Sequence, residues 1–90
     1  MRKLKDLVSV GKATLEDFHL LGITTVEELA EHDAQDLYDR LCDKSGTRQA
    51  PCVRDNFEAA IAQAKDPDLP PEMCQWWYWS RRRKERREFS

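Results

Sequence analysis

The sequence predicts an all-α fold, a compact bundle of about five short helices in one domain. Apolar residues recur every three or four positions along most of the 90-residue chain, the period of a helix with one buried face. No segment alternates apolar and polar residues for long enough to indicate a strand. The contents of 40% hydrophobic and 36% charged residues fit a folded domain with a modest core.

The N-terminal part predicts a short segment followed by a regular helix. Leu4 and Leu7 lie one helical turn apart, before a break at residues 9–11. The next helix, over residues 12–21, has an apolar stripe at every third position, formed by Leu15, Phe18 and Leu21. Gly22 follows the stripe and is the expected helix end, because glycine is favoured just past a helix C-terminus.

Capping residues predict two further helices. Thr25 and Glu28 have the spacing of a capping box, in which the Thr25 hydroxyl accepts from the N–H of Glu28 and the Glu28 carboxylate reaches back to the N–H of Thr25. Asp33 is the expected N-cap of a helix from Ala34 to about Lys44, which Gly46 ends.

The C-terminal half predicts one strongly amphipathic helix and a basic end. After Pro51, a suitable first-turn residue, the apolar positions have helical spacing: Val53, Phe57, Ala60, Ile61 and Ala64. Pro70 and Pro71 follow, and a final segment runs through an aromatic cluster at residues 76–79. The predicted organisation is a helical domain over residues 1–79 and a basic C-terminal tail over residues 80–90.

The net charge of −2 hides an asymmetry along the chain. Residues 81–90 hold six basic and two acidic residues, whereas residues 1–80 hold nine basic and fifteen acidic ones. An acidic body does not by itself attract phosphate backbones. The basic segment has three possible roles: a solvated end, a segment that folds onto the acidic body, or a non-specific nucleic-acid contact.

Several classes of protein are disfavoured by the sequence. No apolar run approaches the roughly 20 residues that cross a bilayer, and no apolar h-region follows the charged N-terminus, so we expect a cytoplasmic protein without membrane contact. Cys42, Cys52 and Cys74 are widely spaced and are expected to be small buried residues. Their spacing with His19 and His32 matches neither a metal site nor a catalytic pair, so we expect no metal and no enzyme.

The most informative spacing lies between residues 7 and 23. Leu7, the turn Val8-Ser9-Val10-Gly11 and the stripe that follows have the pattern of a helix-hairpin-helix element. In that motif, N–H groups at the start of the second helix and the positive end of its dipole can hold a DNA phosphate. The sharp corner between the two helices is expected at Gly11.

This turn departs from the usual Pro-Gly-apolar-Gly pattern. Ser9 stands where the first glycine is common, and we expect that change to oppose the positive-φ geometry that brings backbone close to phosphate. Lys12 adds a favourable charge, while Asp6, Glu16 and Asp17 oppose it. The hairpin therefore has two interpretations, a phosphate-binding turn or a packing device only.

Nearly the whole chain resembles a family of short bacterial proteins, the pathogenicity-locus and mitomycin-resistance-type helix-hairpin-helix proteins. The resemblance is carried by Val10-Gly11-Lys12 with Leu20-Leu21-Gly22-Ile23, by Leu37-Tyr38-Asp39-Arg40-Leu41-Cys42, by Arg48-Gln49-Ala50-Pro51-Cys52-Val53 and by Trp76-Trp77-Tyr78-Trp79. The family is also similar to the C-terminal domain of the TfoX competence regulators. The resemblance implies an all-α, SAM-domain-like fold that binds nucleic acid or a partner.

The aromatic cluster also has two interpretations. In a helix, Trp76 and Trp79 would share a face, with Trp77 rotated away. The cluster could stack unpaired bases beside the basic residues Arg81, Arg82, Arg83, Lys84, Arg86 and Arg87. Because so small a chain needs apolar volume, we expect at least two of the tryptophans in the core instead.

Two functions remain open at this level. The first is a non-enzymatic module that contacts DNA phosphates without reading sequence, and its expected contact residues are Ser9, Val10, Gly11, Lys12, Arg81, Arg82, Arg83 and Lys84. The second is a SAM-like protein–protein interaction module that binds a protein partner or a second copy, with no direct DNA binding. Neither function requires a cofactor or a small-molecule substrate.

Overall fold

Residues 2–89 fold into five α-helices and two 3-10 turns, which confirms the all-α prediction. The computed structural model describes the backbone of these residues and the side chains of residues 2–85. The helices are α1 (Lys12–Leu20), α2 (Val26–Ala30), α3 (Ala34–Ser45), α4 (Pro51–Lys65) and α5 (Trp76–Phe89), and the 3-10 turns are Leu4–Asp6 and Pro71–Cys74. No helix in this part of the chain combines the length and apolar character needed to cross a bilayer.

Helix α1 ends in a Schellman motif, as the glycine predicts. Gly22 has φ +81°, in the left-handed region that glycine adopts without a steric penalty. The N–H of Ile23 donates to the C=O of Phe18 at 2.9 Å, and the N–H of Gly22 donates to the C=O of His19 at 3.0 Å. These bonds satisfy the last carbonyls of the helix and direct the buried Ile23 into the core.

Only half of the capping box predicted for α2 is present. The N–H of Glu28 donates to Thr25 Oγ1 at 3.1 Å, as expected. The Glu28 carboxylate does not return to the N–H of Thr25; its Oε1 accepts from the hydroxyls of Thr24 at 2.8 Å and Thr25 at 3.2 Å. Two neighbouring threonines supply donors that compete with the backbone N–H, so the reciprocal bond in the prediction was wrong.

The connection between α3 and α4 joins two of the four stretches that carry the family resemblance. Asp33 caps the start of α3, and Gly46 ends it with φ +69°. The Tyr38 hydroxyl donates to the C=O of Gln49. The N–H of Gln49 donates to Cys42 Sγ at 3.4 Å. Residues 37–42 and 48–53 therefore form one structural unit that fixes how α4 leaves α3.

The core is built around α4, which packs against α2, α3 and α5. Its predicted apolar stripe is confirmed: Phe57, Ala60 and Ile61 are buried, and Val53 and Ala64 pack against the core at its edge. Phe18 of α1 meets Phe57 with ring centroids 5.3 Å apart, and both side chains are fully buried. Burying one such side chain contributes about 1.5–3 kcal/mol, so this pair ties α1 firmly to α4.

Helix α5 continues from the aromatic cluster through the basic segment to Phe89. The boundary that composition places between residues 79 and 80 therefore falls inside a helix. Ser80 is 7% exposed, and the Arg83 side chain is 20% exposed. Ser80 and Arg83 of this segment are therefore packed against the domain.

Candidate nucleic-acid interface

The hairpin turn adopts the positive-φ geometry that its sequence was expected to oppose. Ser9 has φ +70°, the conformation that glycine supplies in the usual turn. For a serine this conformation costs about 1–2 kcal/mol. The Ser9 hydroxyl donates to the C=O of Cys74 at 3.1 Å and accepts from the N–H of Trp76 at 3.2 Å. These two hydrogen bonds, each worth about 0.5–1.5 kcal/mol, offset the strain.

Gln63 of α4, which is 5% exposed, holds the same turn through hydrogen bonds of its side-chain amide. Its Oε1 accepts from the N–H of Val8 at 2.9 Å, and its Nε2 donates to the C=O of Val8 at 2.7 Å. A third bond runs from Nε2 to the C=O of Cys74 at 3.4 Å. One buried amide thus fixes both the turn and the segment that leads into α5.

Gly11 is not the corner that the sequence suggested. Its φ of −87° and ψ of −175° are extended, and the space around its Cα is open, so other residues could adopt this conformation. The left-handed residue lies two positions earlier, at Ser9. The segment before the turn is also a 3-10 turn, Leu4–Asp6, rather than a helix, because only Leu4 and Leu7 anchor it in the core.

The start of α1 is exposed and has no side-chain cap. Gly11, the N-cap, cannot accept a hydrogen bond through a side chain. Among residues 2–89, no acceptor is bonded to the N–H groups of Lys12, Ala13 and Thr14. Gly11, Lys12 and Ala13 are exposed. The exposed start of α1 therefore has three N–H donors without a partner, the positive end of the helix dipole and the charge of Lys12.

Three acidic residues were expected to oppose an anion at the start of α1. One of them, Asp6, makes a local hydrogen bond. Asp6 Oδ2 accepts from the N–H of Lys3 at 2.9 Å. Glu16 is exposed, and Asp17 is partly buried. Burial, with a smaller contribution from the Glu16 charge, raises the pKa of Asp17 above its ordinary value of 3.8.

We expect Asp17→Asn to stabilise the domain at neutral pH. A carboxyl whose pKa is raised by folding holds its proton more tightly in the folded state, so its contribution to stability falls as pH rises through the folded pKa. The substitution should raise Tm at pH 7 by up to about 4 °C, and the gain should disappear below pH 3.8. Thermal melts across pH test this, with the exposed loop variant Asp68→Asn as control. A gain that persists in acid would contradict the assignment.

The tryptophans of the aromatic cluster differ from the prediction in which of them share a face and in how much of each is buried. Trp76 and Trp77 are each 42% exposed and line one concavity together. Trp79 is turned toward the preceding segment, where its Nε1 donates to the C=O of Met73 at 2.8 Å. Its ring meets Tyr78 edge-on, with centroids 5.3 Å apart. The expectation of two core tryptophans was wrong, because residues of α1 to α4 already fill the core.

The four basic residues of α5 in the predicted contact set divide into two groups. Arg81, Arg82 and Lys84 are exposed. Arg83 instead faces α4, where its Nε and Nη2 donate to both carboxylate oxygens of Asp55 at 3.1 to 3.3 Å. Asp55 is 1% exposed, and the hydrogen bond to it raises the pKa of Arg83. Arg83 therefore packs against α4, whereas the other three side chains are open to solvent.

Arg81 and Arg82 lie over aromatic rings. The Arg81 guanidinium is 5.1 Å from the ring centroid of Trp77, within cation–π range. Arg82 is 5.8 Å from the Tyr78 ring and 5.9 Å from the Trp79 ring. The side chains of Arg86 and Arg87, also expected to take part, lie outside the described residues.

The cysteines do not all have the expected burial. Cys74 is buried, and desolvation together with the charge of Asp66 raises the pKa of its thiol. Cys42 is half-buried, whereas Cys52 is exposed at the start of α4. Within the described residues, no three His, Cys, Asp or Glu side chains are grouped to hold a metal ion.

Two residues that organise this region were missed in the sequence. Asp55 and Gln63 lie on either side of Ala59 in steps of four, so the three share one row of α4. All three are buried. The signal available in the sequence was that this row lies next to the apolar row of Val53, Phe57 and Ile61, so its polar residues also approach the core.

Comparisons with known proteins agree on one family. The sequence profile of the Cdd1 family, described as "Pathogenicity locus", matches residues 1–85. The mitomycin resistance protein McrB of Streptomyces lavendulae is 33% identical over 81 residues, which cover 90% of this chain and 73% of that protein. No solved structure matches the chain significantly.

Proposed function

The chain belongs to the Cdd1 pathogenicity-locus family, and we propose that it is a non-enzymatic module that binds DNA through backbone phosphates without reading sequence. The observation that carries this proposal is the junction at Ser9. The Ser9 Oγ bonds to the C=O of Cys74 and to the N–H of Trp76. These bonds join the turn before α1 to the start of α5, so the two predicted contact segments begin next to each other in the fold.

The proposed phosphate site is the start of α1. The N–H groups of Lys12, Ala13 and Thr14 supply donors, the helix dipole supplies a partial positive charge, and the Lys12 ammonium supplies a full one. We interpret residues 4–20 as a variant helix-hairpin-helix element within a SAM-like fold. The left-handed Ser9 supports that interpretation, because it gives the turn the backbone geometry that the motif requires.

Basic side chains on α5 extend the proposed surface. Arg81, Arg82 and Lys84 are exposed on the helix whose first residue is bonded to Ser9. Contacts of this kind are electrostatic, so affinity should fall steeply with salt.

We expect Lys12→Gln to weaken duplex binding several-fold and to reduce the slope of log Kd against log salt concentration by about one. The measurement is fluorescence anisotropy of a labelled duplex over a salt series. Lys44→Gln is the matched control, because it removes the same charge from an exposed residue at the end of α3. Equal effects of the two substitutions, or no binding by the wild type at low salt, would refute the proposal.

The second candidate is a protein–protein interaction module, favoured by apolar side chains that remain exposed. Leu20 is 52% exposed, and Val8 is 43% exposed. A mostly apolar cleft of about 480 Å³, lined in part by Leu4 and Leu15, lies on the N-terminal side of the domain. This function predicts a dimer or heteromer that persists in moderate salt, which sedimentation velocity would detect, and no DNA affinity.

A further inference from the structure

The two tryptophans at the start of α5 are exposed at a cost to the fold. Trp76 and Trp77 each leave 42% of their surface in water, while the phenylalanines at positions 18 and 57 are fully buried. A domain of 90 residues has little apolar surface to spare, and burial of either indole would contribute to its stability. Adjacent exposed aromatic rings of this size indicate a surface that binds something.

The geometry of α5 turns these rings into a concave site. Residues four apart lie above one another on a helix, so two neighbouring rows begin at Trp76 and Trp77. Together the rows line a concavity of about 360 Å³, formed by Trp76, Trp77, Ser80, Arg81, Lys84 and Glu85. Ser80 is small and 7% exposed, so it leaves depth between the indoles and Lys84. All of the lining residues belong to one helix, so the concavity is open to solvent and a flat ring can enter it from the side.

The charges around this concavity favour an anionic ligand. Arg81 lies over the Trp77 ring, and Lys84 lines the other end. Glu85 is the single acidic residue in the lining, which leaves one net positive charge. Glu72 bonds Arg81 at 3.4 Å, but both side chains are more than half exposed. An exposed pair of this kind is weak, so a phosphate can displace the carboxylate.

Aromatic rings next to cations are the chemistry of single-stranded nucleic-acid binding. Bases stack on the rings while phosphates follow the positive charges. In a duplex the faces of the bases are already stacked on each other, so exposed indoles can only receive bases that are unpaired. The Ser9 bond to the N–H of Trp76 places this concavity beside the proposed phosphate site of α1.

We propose that the concavity on α5 binds an unpaired base of single-stranded DNA, stacked on Trp76 or Trp77 with its phosphate at Arg81 and Lys84. The inference rests on the proposed function and adds its substrate class. DNA in which paired and unpaired segments meet would use both parts of the surface, with duplex phosphate at α1 and the unpaired base at α5.

The test is a set of anisotropy titrations of the full chain with three labelled ligands of equal length. They are a single strand, a duplex and an abasic single strand that keeps the phosphates but lacks the bases. For the double variant Trp76→Ala/Trp77→Ala, we expect single-strand affinity to fall about 10- to 100-fold and duplex affinity to stay within about twofold. The wild type should bind the abasic strand as weakly as the double variant binds the base-bearing strand.

Leu20→Ala is the matched control, because it removes an exposed apolar side chain on α1. Circular dichroism melts establish that the variants fold, and the single variant Trp77→Gln repeats the test with a smaller change. Unchanged single-strand affinity of the tryptophan variants, or equal affinity for abasic and base-bearing strands, would overturn this inference while duplex binding survives. If the wild type binds none of the three DNA ligands and instead self-associates through the tryptophans, the proposed function is overturned as well.

Discussion

Replacing Arg83 with methionine is expected to lower the free energy of unfolding by about 3–5 kcal/mol. The substitution keeps much of the aliphatic length but removes the guanidinium that bonds both oxygens of Asp55. Asp55 is 1% exposed, so its carboxylate would be left buried without its partner. Chemical denaturation followed by circular dichroism measures the loss.

The exposed neighbour Arg82 supplies the control, since Arg82→Met removes the same charge from a solvated position. We expect that variant to change stability by no more than about 1 kcal/mol, because the contacts that Arg82 makes with Tyr78 and Trp79 are exposed. Adding Asp55→Leu to Arg83→Met should restore much of the lost stability, because the buried charge is then absent. Equal stability of the Arg82 and Arg83 variants would show that the ion pair does not hold α5 to α4.

Replacing Gln63 with leucine is expected to cost about 2–4 kcal/mol. The change leaves the N–H and C=O of Val8 without their partner in a partly buried position, at up to roughly 1–3 kcal/mol for each unsatisfied group. It also removes the bond to the C=O of Cys74. Hydrogen exchange should show faster exchange of the N–H groups of Val8 and Trp76, because the turn and the start of α5 loosen together.

Gln35→Leu is the comparison, because Gln35 makes its hydrogen bonds on the exposed face of α3. Its effect should stay within about 0.5 kcal/mol. Gln63→Glu separates the two roles of the amide, since it keeps the acceptor for the N–H of Val8 and loses the donor. If the leucine variant retains wild-type exchange at Val8 and Trp76, the amide does not fix the turn.

Helix positions and the main apolar face could be predicted from the sequence because they depend on local patterns. The stripe on α4 has helical spacing, and Gly22 and Gly46 mark real helix ends with positive φ. The details of capping could not be predicted in full. The Glu28 carboxylate has several donors within reach, and spacing alone does not say which of them it accepts from.

The candidate site was less predictable, because its form depends on contacts between residues far apart in sequence. Nothing local to Ser9 reveals a hydroxyl bonded to residues 74 and 76. Composition likewise groups Arg83 with its basic neighbours, although it faces a carboxylate 28 positions earlier. The burial of tryptophans 76 and 77 was misjudged for the same reason, since the remaining core volume is a property of the assembled helices.

The Ser9 hydroxyl keeps both of its hydrogen bonds only while the turn and the first residue of α5 hold their present separation. Folding therefore preorganises the two parts of the surface before any ligand arrives. A ligand that touches both parts would bind without the loss of conformational entropy needed to bring them together. Its affinity would therefore exceed what two independent contacts could supply.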